Sequence, residues 1–203
     1  MVTGFFGVPG CGKSTFLAKL AVKELRKIQK GKSAYKHVLT NFPVEGCERV
    51  DLLYLGKFNI EYSLILFDEI SLDADSRDYK NFPSHVRDFF ILHRHLHNTV
   101  IYFTQDYSKV DKVIRNVTYD LWYLHKPVVP FFSNFSIAQR IYRNININEY
   151  TSELTIGYRF AKFLELLFTS NKKICFRPFY YKYFDSFDKL QLSHLPDFPY
   201  KRW

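Results

Sequence analysis

Residues Gly7-Val8-Pro9-Gly10-Cys11-Gly12-Lys13-Ser14 stand between a short apolar run, Val2 to Gly7, and a stretch of helical periodicity, Ser14 to Gln29. They fit G-x-x-x-x-G-K-[ST], the Walker A pattern, in the strand, turn and helix context that the pattern requires. The glycines let such a loop wrap around the β- and γ-phosphates of a nucleotide with its N–H groups turned inward. The helix N-terminus adds partial positive charge. Lys13 is placed to reach phosphate oxygens, and the Ser14 hydroxyl to ligate Mg²⁺. Gly7, Pro9, Gly10, Cys11, Gly12, Lys13, Ser14 and Thr15 are therefore the expected nucleotide-binding residues. A plain glycine-rich turn is the alternative, and it does not account for the strand on one side and the amphipathic helix on the other.

A second apolar run, Leu64 to Phe67, stops at Asp68-Glu69. Open α/β sheets place their ligands at the carboxyl ends of strands, so this acid pair reads as a Walker B element rather than a solvated turn. Asp68 is expected to hold Mg²⁺ through water and Glu69 to polarise the attacking water, as hydrolysing ATPases need and kinases must avoid. The strand Thr99 to Phe103 leads into Thr104-Gln105, which puts Gln105 at the same sheet edge, within reach of the γ-phosphate or its water. Arg94, just before that strand, is a candidate for the arginine that completes a neighbouring subunit's site, its alternative being an ordinary surface arginine. His93 and His97, at i and i+4, are expected to share a helix face and could bind zinc, yet no acid lies between them in the HExxH manner and no third ligand is evident.

Strand and helix signals alternate along the chain. Lys36 to Asn41 reads as a strand, Val86 to His97 as a helix started by Pro83-Ser84, Val110 to Val117 as a short helix and Leu121 to Leu124 as a strand. The expected fold is α/β: a doubly wound, mostly parallel sheet flanked by helices, of the P-loop NTPase kind. Residues 1–130 form the expected ATPase core. Residues 131–203 form a small β-rich, aromatic C-terminal extension that packs on or completes it. Within the extension, Phe135 to Tyr142 and Ile145 to Tyr150, with Arg143-Asn144 between them, suggest a hairpin or an extended pair, Gly157 to Phe168 a helix, and Ile174 to Phe176 a strand.

Composition narrows the partners. Lys and Arg number 29 against 20 Asp and Glu, a net charge of +9 that favours nucleic acid or an anionic membrane face. The densest basic stretch, Lys19 to Lys36, reads either as the solvated face of a helix or as a phosphate-contacting patch. With 21 Phe, 15 Tyr and 2 Trp among 203 residues, the core is expected to be built on rings, with some left for a surface. Cys11, Cys47 and Cys175 are too few and too scattered for a disulfide framework or a zinc site, which suits a reducing compartment. There is no secretory signal, and no stretch approaches the roughly 18 uninterrupted apolar residues of a membrane helix, so the chain reads as soluble.

The P-loop, Val38 to Asn41, the Asp68-Glu69 pair, the segment Phe89 to Asp106 (FFILHRHLHNTVIYFTQD), Val110 to Asn116 (VDKVIRN) and Tyr180 to Asp188 (YYKYFDSFD) together resemble the zonula occludens toxin-like (Zot) family. That family contains the filamentous-phage assembly ATPases and is similar to the FtsK–HerA pumping ATPases. The resemblance implies that Gln105 is a sensor and that an arginine acts in trans, Arg94 with Arg115 as runner-up. It also implies a homo-oligomeric ring, with a hexamer as the first candidate, in the host cytoplasm. Zot-like phage proteins usually continue into a transmembrane helix and an outer domain, whereas this chain ends at Trp203. A membrane-anchored assembly protein would then have to tether it to the inner membrane, unless it is a truncated or soluble variant.

The leading expectation is a Mg²⁺-dependent ATPase that powers assembly, packaging or extrusion of a viral genome or virion, with viral single-stranded DNA or nucleoprotein as cargo. A nucleotide-gated adaptor that binds membrane or coat partners without turnover is the alternative. A small P-loop kinase is disfavoured, because Glu69 is placed to activate water and no arginine-rich lid is visible.

Overall fold

The computed structural model describes residues 1–70, 83–127, 130–147, 154–160 and 171–184. A nine-stranded sheet runs through the molecule: β1 (Val2–Phe6), β2 (His37–Thr40), β3 (Glu48–Arg49), β4 (Ser63–Phe67), β5 (Thr99–Thr104), β6 (Thr118–His125), β7 (Phe135–Ile147), β8 (Leu154–Phe160) and β9 (Lys172–Phe176). Their order is β3-β2-β4-β5-β1-β6-β7-β8, with β9 on β7. From β3 to β6 all pairs are parallel. β5 thus lies between the strand that enters the glycine loop and the strand that ends in the acids.

Short buried strands without polar alternation are what a parallel sheet covered on both faces demands, and all five residues of β4 are buried. Helix α1 (Lys13–Gln29) covers one face. Its Phe16 and Leu17 pack with Phe5, Leu66, Phe103, Trp122 and Leu124. Phe5 stacks on Phe103 with centroids 4.9 Å apart, so part of the aromatic surplus is core. Helices α2 (Ser84–Leu92) and α3 (Lys112–Val117) bring Val86, Phe90 and Ile114 to the other face, against Tyr102 and Phe67. Other rings stay outside, Phe131, Phe179 and Tyr119 among them.

Beyond β6 the chain continues the same sheet in antiparallel fashion. β7 pairs with β6 along one edge, while β9 and β8 share the other. Two expectations are corrected here. Arg143-Asn144 is no turn: both residues lie inside the thirteen-residue strand β7 and pair with Tyr158 and Gly157 of β8. Neither is glycine or proline, and side-by-side polar residues on a strand leave its extended backbone intact. Gly157 to Phe160 is strand rather than helix, and the rest of that expected helix lies outside the described residues. Helix α2 stops at Leu92. Among the described residues, no helix is long and apolar enough to cross a membrane.

Candidate nucleotide site

The loop from Gly7 to Gly12 leaves β1 at the carboxyl edge of the sheet and feeds directly into α1. The Gly7 N–H donates to the Thr104 carbonyl at 3.2 Å. A Cβ on Gly7 would collide with the carbonyl oxygen of Leu124, so no other residue fits. Gly12 caps the helix at φ 95°, a left-handed conformation suited to glycine. A side chain there would also run into Ser136 Oγ and come within 2.7 Å of Arg177 Cδ. The first helical bond runs from Phe16 N–H to the Gly12 carbonyl at 2.9 Å. The N–H groups of Lys13, Ser14 and Thr15 consequently have no acceptor earlier in the helix and are available to an anion.

Lys13 is buried, with Nζ donating to the Gly7 carbonyl at 2.9 Å, which folds the ammonium back across the loop. Ser14 Oγ donates to Asp68 Oδ2 at 2.6 Å across 54 residues of sequence. Asn41, immediately past β2, clamps the Asp68 backbone with both amide atoms: Nδ2 donates to its carbonyl at 3.0 Å and Oδ1 accepts from its N–H at 2.8 Å. Burial holds the Asp68 carboxyl above the usual carboxylate range, with the Ser14 hydroxyl and Lys13 pulling the other way. A hydroxyl and a carboxylate converging beside a phosphate loop form the hard oxygen set that Mg²⁺ takes. Ser14 and Asp68 therefore fit that ion.

Glu69 adopts φ 47°, where a non-glycine residue is strained by about 1–3 kcal/mol, a cost typical of functional positions. Its carboxylate crosses to β5, where Oε1 accepts from Thr104 Oγ1 at 3.2 Å and from the Gln105 N–H at 3.1 Å. Gln105 is exposed at the same edge. Cys11 is buried and its thiol pushed up by desolvation, so it serves as packing.

The structure thus gathers Gly7 to Thr15, Asp68, Glu69 and Gln105 at one sheet edge. Arg94 lies at the opposite edge, exposed and beside Tyr62, His97 and Asn98. Arg115, on α3, packs over the Tyr107 ring at 6.0 Å, and its carbonyl accepts from Arg143. His93 is buried with Nδ1 donating to the Phe90 carbonyl, while His97 stacks on Tyr62 beyond the end of α2. The two histidines do not share a helix face. On the basic face of α1, Lys19 donates to the Ile174 carbonyl and Arg26 to the Tyr183 hydroxyl.

Asn41, Thr104, Ser136 and Arg177 had no assigned role in the sequence reading. For Asn41 the signal was its place at the end of a short apolar strand; the others are brought in only by the fold.

A parallel sheet with an intervening strand, a glycine loop entering a helix and an acid pair facing that loop define a P-loop NTPase. The family model described as zonular occludens toxin (Zot) matches residues 1–156, and the chain belongs to that family. It is similar to the N-terminal domain of zonular occludens toxin from Neisseria meningitidis, at 13% identity and a TM-score of 0.52, covering 81% of this chain and 96% of that one. Weaker similarity, at a TM-score of 0.46 and 9% identity over 76% of this chain and 95% of the other, links it to the genome packaging NTPase B204 from Sulfolobus turreted icosahedral virus 2. FlaH, a flagellar accessory protein from Methanocaldococcus jannaschii, aligns at 11% identity and a TM-score of 0.44, covering 79% and 89% of the respective chains. Among curated proteins, no sequence matches significantly.

Proposed function

We propose that the protein is a Mg²⁺-dependent ATPase that powers assembly, packaging or extrusion of a viral genome or virion of the filamentous-phage kind. The observation that carries this reading is the convergence of Ser14 Oγ and Asp68 Oδ2, 2.6 Å apart at the mouth of the phosphate loop, with Glu69 as the next residue. Family membership supports the viral assembly role.

In this reading the loop N–H groups and Lys13 grip the β- and γ-phosphates. Ser14 and Asp68 would hold Mg²⁺, which would supply neutralisation of charge on the phosphate oxygens. Glu69 leaves Thr104 and Gln105 to accept a proton from the attacking water, and the Gln105 side chain orients that water against the γ-phosphate. Arg94, exposed and far from its own chain's loop, serves a neighbouring subunit in a homo-oligomeric ring, with Arg115 as the runner-up. The protein works in the host cytoplasm and is tethered to the inner membrane by a membrane-anchored partner.

The adaptor alternative draws on one observation, the engagement of the Glu69 carboxylate by β5. A base kept there permanently would leave a nucleotide-gated binding protein. Steady-state phosphate release from ATP, measured with and without single-stranded DNA, separates the two: the motor turns over and the adaptor only binds. If DNA is gripped through its backbone, its affinity falls linearly with salt on logarithmic axes. Salt-independent binding would point to protein partners instead.

A further inference from the structure

β1 and β6 run parallel, with Phe6 opposite Tyr123, so the chain leaves both strands at the same sheet edge. Gly7 sits directly against the carbonyl of Leu124, which sets the two following residues, His125 and Lys126, beside the phosphate loop. His125 Nδ1 donates to the Lys126 carbonyl at 3.0 Å. Pro127 restricts Lys126 to extended backbone, which carries its side chain away from a helical turn. The Lys126 ammonium reaches the loop itself, with Nζ 3.9 Å from where a Cβ on Gly10 would stand.

That ammonium is exposed, and no carboxylate or other acceptor holds it among the described residues. Three other cations near the loop are engaged: Lys13 donates to Gly7, Lys19 to Ile174 and Arg177 to Ser133. An ammonium at the loop without a carboxylate partner is a natural contact for a polyanion bound there.

We propose that Lys126 is a second polyphosphate-binding lysine, which reaches the phosphates of bound ATP from the strand adjacent to the loop's own. The grip on the nucleotide is thus shared by two cations, one at the start of α1 and one just past the end of β6. This rests on the nucleotide reading above.

The test is titration calorimetry of the full chain with MgATP. Lys126→Ala raises Kd about 10- to 100-fold, the range for loss of a charge-assisted hydrogen bond. Lys126→Arg keeps most of the affinity, and the nucleotide-free melting temperatures of both variants match the wild type because the side chain is exposed. Lys109→Ala, which removes an exposed lysine after β5, leaves Kd unchanged. Wild-type affinity in Lys126→Ala overturns the proposal, as does an equal loss in Lys109→Ala, which would indicate a general field effect. A wild-type chain that binds no ATP overturns the nucleotide reading itself and takes the proposal with it.

Discussion

Ser136 donates its buried hydroxyl to the carbonyl of Cys11 at 2.6 Å, joining β7 to the middle of the phosphate loop across 125 residues of sequence. The same oxygen occupies the space that a side chain on Gly12 would need. The antiparallel part of the sheet therefore shapes the loop directly. Ser136→Ala leaves a buried carbonyl without its partner and lowers unfolding stability by about 1–3 kcal/mol. It also weakens ATP binding, because the loop is no longer held open for phosphate. Denaturant unfolding and nucleotide titration check both effects, and a variant unchanged in each would make the bond incidental.

Asp68 is a partly buried carboxylate whose Oδ2 accepts from the Ser14 hydroxyl. Its carboxyl is raised by burial, so the native state holds the proton more tightly than the unfolded chain. The resulting stability is present below the ordinary carboxylate value and is lost as pH rises through the raised one. Asp68→Asn, which can still accept from Ser14, therefore stabilises the nucleotide-free protein relative to wild type at pH 8, by a margin that shrinks as the medium is acidified. The same variant loses Mg²⁺-dependent nucleotide binding. Melting curves across pH test the sign, and a margin that grows toward acid contradicts it.

How far these features can be read from sequence depends on how local they are. The loop from Gly7 to Ser14 and the pair Asp68-Glu69 were legible because each is a contiguous motif at the end of a short apolar run, and β1, α1, β4 and β5 came with them. Of the two readings of β7, the hairpin fails because Arg143 and Asn144 look like a turn only when taken alone. Their strand pairing with Tyr158 and Gly157 depends on residues further along the chain. Ser136 acts across 125 residues and no local pattern marks such a partner, whereas Asn41, 27 residues from Asp68, is marked only by its place at the end of a short apolar strand. The place of Glu69 directly after β4 is legible, but its docking on Thr104 and Gln105 follows from β5 lying between β1 and β4.

Arg94 stands at the sheet edge opposite its own chain's phosphate loop, which takes it out of reach of that loop. Arg94→Ala and Glu69→Gln chains, each inactive alone, should recover part of the activity when mixed, since some interfaces then combine an intact Glu69 with an intact Arg94. Light scattering establishes that the two chains co-assemble. Co-assembly without recovery would make Arg94 a surface residue and move the test to Arg115.

The most direct test of the central claim, that Glu69 makes this P-loop protein a hydrolase, pairs ATP binding with phosphate release in Glu69→Gln. The amide oxygen can still accept from Thr104 and Gln105, and Lys13, Ser14 and Asp68 are untouched. The account predicts MgATP affinity within a few-fold of wild type and turnover reduced by about 10²-fold or more, the range for loss of a positioned base. Turnover at the wild-type rate would contradict it.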